Sequence, residues 1–266
     1  MGSGATLNEW LRAEPFSLCL SSGFFGFFAH AGFVCALEEV GLRPSRVSGS
    51  SAGALVASCV AMGVPGERLA DRFLSLQRAD FWDPFYAGRP TLPKFGLLEG
   101  KLFEEELEQI FLAGTAQEAP TFDDCALPLT VSAWDVQRRQ TVVLAEGPVA
   151  PAVHASCAFP GLFQMVPHQG RLLWDGGIAD RPGLAGLEGQ DTRVLMHHLE
   201  SRSWWRTGDS AKVPTTPGVQ VVTLGELPRS GPSKLAEGRR AFGIARDRMR
   251  RALTLVVRGD ALRVSR

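Results

Sequence analysis

The pentapeptide Gly49-Ser50-Ser51-Ala52-Gly53 lies between a short β-like run and a helix-like run, and it restricts the chain more than any other segment. Its Gly-x-Ser-x-Gly form suits a nucleophile elbow, in which the serine occupies a strained turn from strand to helix. Glycines on both flanks leave room for the neighbouring strand and helix and tolerate the dihedrals of a sharp turn. Ser51 is therefore a candidate nucleophile. In a chain with 29 glycines such a string also arises by chance, and a plain tight turn is the rival reading.

The surrounding pattern supplies a strand before the turn and a helix after it. Residues 16–20 form a short apolar run, followed by Ser21-Ser22-Gly23. Residues 31–40 carry Phe33, Val34, Leu37 and Val40 at helical spacing before Gly41 stops them. Residues 45–48 read as a second strand and 54–62 as the helix leaving the elbow. This β-α-β-α series is the pattern of a parallel sheet covered by helices. Further on, 99–112 reads as an acidic amphipathic helix that serves only packing, with Leu102, Phe103, Leu107, Ile110 and Phe111 on one face. Strands are expected at 128–133 and 140–145 around Val136-Gln137-Arg138-Arg139, at 171–174, 194–199 and 219–224, and helix from Lys234 onward. No internal repeat and no long linker divides the 266 residues, so one domain over 1–266 is expected. Its motif-bearing core covers about 16–183, with strands and a basic helix over about 190–266.

Charge and cysteine content exclude several partner classes. With 28 basic and 28 acidic residues, the chain lacks the overall positive charge of a nucleic-acid binder. Cys19, Cys35, Cys59, Cys125 and Cys157 are dispersed among apolar neighbours, without a close pair or a His-rich spacing suited to zinc. They read as reduced core residues, and no metal or cofactor is expected. The opening segment Leu7-Asn8-Glu9-Trp10-Leu11-Arg12-Ala13-Glu14 is too polar for a secretory signal, which points to a cytoplasmic protein. Residues 15–37 contain no charged side chain and could span a bilayer, but Ser21-Ser22-Gly23 and Gly26 interrupt them. A buried strand, loop and helix in series would have the same composition. Met1-Gly2 followed by Thr6 fits a short myristoylation pattern or a chance string.

A serine nucleophile needs a base and donors for the oxyanion. The Ala52 N–H, directly after Ser51, is one candidate donor. An α/β-hydrolase has several strands ahead of its nucleophile, whereas two precede Ser51 here. The remaining donors then fall to the loop after the first strand, Ser21-Ser22-Gly23-Phe24-Phe25-Gly26. That string lacks the Gly-Lys-Ser/Thr ending of a phosphate loop. For the base, Asp175-Gly176-Gly177 follows the strand at 171–174, and His197 or His198 beyond it would complete a Ser-Asp-His order. His30 reads as a helix-start residue packed under the loop. His154 and His168 read as surface or hydrogen-bonded loop residues around Pro160-Gly161.

Taken together the motifs resemble the patatin-like phospholipases. The resemblance rests on four stretches. They are the glycine loop with Gly23 and Gly26, followed by His30-Ala31-Gly32 and Ala36-Leu37-Glu38-Glu39-Val40-Gly41; Gly49-Ser50-Ser51-Ala52-Gly53-Ala54; Ala155-Ser156-Cys157-Ala158-Phe159-Pro160-Gly161; and Asp175-Gly176-Gly177. It implies a three-layer α/β fold with a mostly parallel central sheet, and a Ser-Asp dyad in which Ser51 attacks a lipid ester and Asp175 takes its proton. Gly23, Phe24, Phe25 and Ala52 would supply the oxyanion hole, with Gly26, Gly49, Gly53, Gly176 and Gly177 as motif glycines. The glycine loop departs from the family, which carries Gly-Gly-Gly-x-Arg/Lys-Gly. Here Phe24, Phe25, Phe27 and Phe28 surround two glycines, and no basic residue is present. A catalytically silent lipid-binding relative is therefore an open alternative.

A lipid substrate brings a membrane surface into view. Between residues 229 and 266 basic side chains outnumber the acids, which are Glu237, Asp247 and Asp260. A helix there, with Phe242, Ile244, Met249, Leu253, Leu255, Val256 and Val257, could rest on anionic headgroups, or be a terminal helix with a solvated face. Trp204-Trp205 is a further candidate for interfacial contact or for core packing.

Overall fold

A computed structural model describes residues 4–85, 96–189, 193–200 and 215–265. Trp204-Trp205 and Met1-Gly2 lie outside the described residues. The elements, in chain order, are α1 (Leu7–Ala13), β1 (Phe16–Leu20), α2 (Phe27–Glu39), β2 (Arg46–Ser50), α3 (Ala52–Ala61), α4 (Gly66–Ser75), β3 (Gly96–Leu98), α5 (Lys101–Phe111), β4 (Leu129–Asp135), β5 (Gln140–Leu144), α6 (Val149–Cys157), β6 (Gly161–Phe163), β7 (Val166–His168), β8 (Arg171–Asp175), β9 (Arg193–His198), β10 (Val219–Leu224), α7 (Leu235–Thr254) and β11 (Ala261–Val264).

The sheet runs β11-β10-β9-β1-β2-β4-β8-β7, with β5 also on β4. From β11 to β4 every pairing is parallel. The strands β5, β8 and β7 are antiparallel to their neighbours. Helices cover this sheet in a three-layer α/β arrangement, as the motif order implied. The chain leaves β1 on one side toward β2 and β4, and returns on its other side through β9, β10 and β11. The carboxyl ends of β1 and β9 thus flank a topological switch point, where such sheets form their clefts, and the loop after β1 opens there.

The central strands show why the sequence reads as it does. All five residues of β1 and all six of β10 are buried, and strands covered on both faces need continuous apolar runs rather than alternation. Helix α2 is buried from Phe27 through Leu37, so its apolar residues lie on every side and give almost no amphipathic signal. It begins at Phe27 rather than near residue 31, because Gly26 ends the preceding turn and occupies the N-cap. The charge-free stretch 15–37 is therefore a buried strand, a turn and a buried helix. Among the described residues no helix is long and apolar enough to cross a membrane. The five cysteines are free, three of them buried and Cys125 and Cys157 half-buried.

One open alternative is narrowed and one expectation needs correction. The apolar residues of α7 do not form an open face: Ala241, Phe242, Ala245, Met249, Ala252 and Leu253 are buried, and the helix packs along α2. Arg246 and Arg250 pair with Glu39 at the end of α2, so part of the basic face is tied down as well. Ile244, Leu255, Val256 and Val257 stay out of that buried face. His154 and His168 are not surface or loop residues. Both are buried, the first on α6 and the second on β7.

Candidate active site

The elbow forms where β2 meets α3. Ser51 adopts φ 54° and ψ −123°, a conformation costly for a residue with a Cβ and sustained only where the surroundings demand it. The backbone passes so close to its neighbours that side chains are impossible on either flank. A Cβ on Gly49 would lie 2.5 Å from the Gly53 carbonyl, and one on Gly53 would lie 2.0 Å from the Leu20 oxygen.

A hydrogen bond holds the strained residue in place. The Ser51 N–H donates to Ser156 Oγ at 2.8 Å, and Ser156 Oγ donates to the Ser132 carbonyl at 2.7 Å. Ser156, on α6, thus links the elbow to β4. The sequence reading quoted it within a motif and assigned it no part. The available signal was a hydroxyl in a mostly apolar helix, which calls for a specific partner.

Asp175 reaches Ser51 through sheet register. Ser50 lies opposite Ser132 across the parallel pair β2 and β4, and the next residue of β4, Ala133, lies opposite Asp175 on antiparallel β8. The ends of β2 and β8 therefore meet across one strand. Ser51 Oγ donates to Asp175 Oδ2 at 2.7 Å, and the Gly177 N–H donates to Asp175 Oδ1 at 2.7 Å. Burial pushes the Asp175 carboxyl up to about 6, while the bonds from Ser51 and Gly177 pull it down. Such a carboxylate is ionised near neutrality yet more basic than an exposed one, as a proton acceptor for a hydroxyl requires.

The loop after β1 is a tight turn, in which the Gly26 N–H donates to the Gly23 carbonyl at 2.8 Å. Phe25 sits at φ 53°, a region a glycine would enter without cost, and Ser230 Oγ donates to its carbonyl at 2.6 Å. The Ser22 N–H donates to the Arg181 carbonyl at 2.8 Å, which ties the loop to the segment after Asp175. Among the described residues no hydrogen bond occupies the N–H groups of Gly23, Phe24 or Phe25, nor that of Ala52 at the start of α3. All four residues line the same cavity as Ser51 and Asp175.

The histidines lie elsewhere. His197 Nδ1 is 2.9 Å from His30 Nδ1, and His30 Nε2 is 2.8 Å from the Ser21 carbonyl. A carbonyl can only accept, so His30 carries its proton on Nε2 and receives one from His197 Nδ1–H. This buried chain props the start of the loop. Burial lowers His30 and His198 to about 4, and it also holds His197 well below the usual imidazole range. Neither His197 nor His198 lines the cavity.

That cavity has a volume of about 550 Å³, within the range of small-molecule sites. Aromatic side chains dominate it, with Phe24, Phe25, Phe27, Phe73, Phe81, Phe103, Phe159 and Phe163 in its walls. Helix α5, expected only to pack, contributes Phe103, Glu106, Leu107 and Ile110 to the lining. Among the described residues no group of His, Cys, Asp and Glu could hold a metal ion.

The model of the patatin-like phospholipase family matches residues 18–186, more than half of the chain. The chain belongs to this family. Similar proteins include an uncharacterised NTE family protein of Mycobacterium tuberculosis, 29% identical over 68% of this chain and 47% of its own length. The lysophospholipase nte1 of Emericella nidulans is 27% identical over 70% of this chain and 12% of its own length. The chain thus spans about half the length, or less, of these curated relatives. Among solved structures, VipD from Legionella pneumophila shares the patatin-like fold at TM-score 0.53 and 16% identity, with 90% of this chain and 67% of that chain covered.

Proposed function

We propose that the protein is a lipid acyl hydrolase of the phospholipase A, lysophospholipase or carboxylester type, acting through an acyl-enzyme on Ser51. The observation that carries this reading is the 2.7 Å hydrogen bond from Ser51 Oγ to Asp175 Oδ2 in the wall of a cavity rich in phenylalanine. Asp175 takes the proton as Ser51 Oγ bonds to the ester carbonyl carbon, and the carbonyl electron pair moves onto oxygen. The unoccupied N–H groups of Ala52, Gly23, Phe24 and Phe25 are the donors for that oxyanion, because such donors must be free and aimed where the charge develops. The tetrahedral species expels the alcohol with the proton from Asp175, and water then releases the acyl group by the same steps. No cofactor enters this sequence. The partner is a lipid ester. Where the protein meets anionic headgroups, the solvent-facing arginines of α7 would make the contact, since its apolar face is taken by α2.

Fluorophosphonate labelling tests the reading. Adduct mass mapped to Ser51, absent in Ser51→Ala, together with release of fatty acid from a panel of phospholipids, lysophospholipids and simple esters, is the expected result. A folded protein that neither labels nor releases acyl groups would instead be a silent lipid-binding relative. An equal loss of turnover in Asp175→Asn and in the His197→Gln/His198→Gln variant would favour a Ser-His-Asp esterase or acyltransferase.

A further inference from the structure

The cavity that holds Ser51 extends between α4 and α5, where Phe73 of α4, Leu76 just after it, and Glu106, Leu107 and Ile110 of α5 line it. A separate surface groove lies on the outer side of the same two helices, lined by Arg68, Asp71, Arg72 and Ser75 of α4 and Gln109 and Ile110 of α5. Ile110 contributes to both. The cavity and the groove are thus back to back, with a wall one side chain thick between them. Arg72 spans that wall: its Nε and Nη2 donate to the two carboxylate oxygens of Glu106. The Glu106 side chain is 8% exposed and that of Arg72 is 41% exposed, so one partner belongs to the inside and the other to the solvent.

Away from the polar end formed by Ser22, Ser51, Asp175 and Arg181, a charged pair is an unusual choice for a cavity walled mainly by phenylalanine, leucine and isoleucine. Holding two helices together does not require it, since apolar residues of similar volume do so at least as well. What the pair adds is a polar end to an apolar space. Each methylene of a chain that finds an apolar wall gains roughly fourfold in binding. A chain that reaches Glu106 gains nothing more, because advancing further means parting a buried ion pair and leaving a carboxylate uncompensated.

We propose that the Arg72–Glu106 pair is the end stop of an acyl-chain channel and sets the longest chain the site accepts. This rests on Ser51 as the acylated residue, and it adds a length limit that the nucleophile alone does not imply. Shortening both partners should open the channel into the outer groove. Replacing both with leucine should remove the charge yet keep the wall. Both variants are doubles, so that neither leaves a lone buried charge.

The test is a kcat/KM profile over p-nitrophenyl esters from butyrate to stearate. In the unaltered protein the profile should climb and then level off or fall at one chain length. In Arg72→Ala/Glu106→Ala the ratio of the longest to the shortest ester should rise by about tenfold or more, equivalent to two further methylenes buried in the space the two side chains vacate. In Arg72→Leu/Glu106→Leu, where the charge is gone but the wall stays filled, that ratio should rise by a smaller factor than in the alanine double. If the alanine double is not recovered folded, Ile110→Ala thins the same wall without touching a charge and should move the ratio in the same direction. A folded alanine double or Ile110→Ala with an unmoved profile overturns the end stop while leaving the hydrolase reading intact. So does a leucine double that gains long chains as strongly as the alanine double. An unaltered protein that turns over no ester of the series overturns the hydrolase reading and the end stop with it.

Discussion

Asp175→Asn separates the cost of burying a carboxylate from its chemical use. In the folded chain burial raises this carboxyl from 3.8 to about 6. A shift of that size corresponds to at most about 3 kcal/mol, at roughly 1.36 kcal/mol per unit. The sign follows from proton binding. Between the two values the folded state holds the proton more tightly than the unfolded state, so stability falls as pH rises from 3.8 through about 6 and is level above. Asparagine does not titrate, and its shape is nearly the same. It can accept only one of the two bonds now made by the Ser51 hydroxyl and the Gly177 N–H, a pH-independent penalty of about 1–3 kcal/mol. Urea unfolding of both proteins across pH 4 to 8 isolates the term, because other titrating groups cancel in the difference. The unaltered protein should lose about 2–3 kcal/mol relative to the variant over that window. Its kcat/KM should rise with pH to a plateau above about 6, while the variant loses about 10³-fold. A stability difference that is flat with pH, or that slopes the other way, would refute the claim that burial dominates this carboxyl.

Ser156→Ala removes the acceptor for the Ser51 N–H and the donor to the Ser132 carbonyl. Denaturant unfolding should show a loss of about 1–3 kcal/mol, with kcat falling by a larger factor than KM rises. Gly53→Ala would place a Cβ 2.0 Å from the Leu20 oxygen, where both groups are backbone and neither can swing away. A loss of at least about 3 kcal/mol is expected, and near-native stability would show that the elbow is looser than this contact implies. Changing His197 and His198 together to Gln should cost turnover far less than Asp175→Asn, since His197 bonds to His30 and neither histidine lines the cavity.

How much of this was legible depends on whether the evidence for an element is local. Strand β10 and the helices leaving Gly26 and Ser51 announce themselves through apolar runs and punctuating glycines. Helix α4 is absent from the sequence expectations although its residues are strongly amphipathic. Helix α6 was missed because Pro148 and Pro151 mask a helix whose first turn tolerates them. Strand β11 carries Arg263 and mixed polarity, and its place is set by pairing with β10, not by its own pattern. The histidines were misjudged for a related reason: a polar residue without a neighbour in sequence looks exposed. His154 is nevertheless buried against Glu104 at 2.6 Å, a residue far away along the chain.

By itself the amino-acid sequence determined the elbow motif, and Gly49 is demanded by a backbone approach to Gly53 and Ala54 within one strand-turn-helix unit, whereas Gly53 is demanded by Leu20 of the neighbouring strand β1. It also determined the pairing of residue types, serine, aspartate and glycine, that marks the family. The tertiary structure alone decided that these parts meet. Asp175 reaches Ser51 because antiparallel β8 docks on β4 one residue beyond the point where β2 pairs, a register that no local propensity encodes. The same holds for Ser156, whose hydroxyl matters only once α6 is laid over β4, and for Glu106, whose partner Arg72 comes from α4, remote in the chain. Chemistry of single residues is written locally, while distance between residues remote in the chain is settled by which sheet edges and helix faces pack, and that depends on the whole core at once.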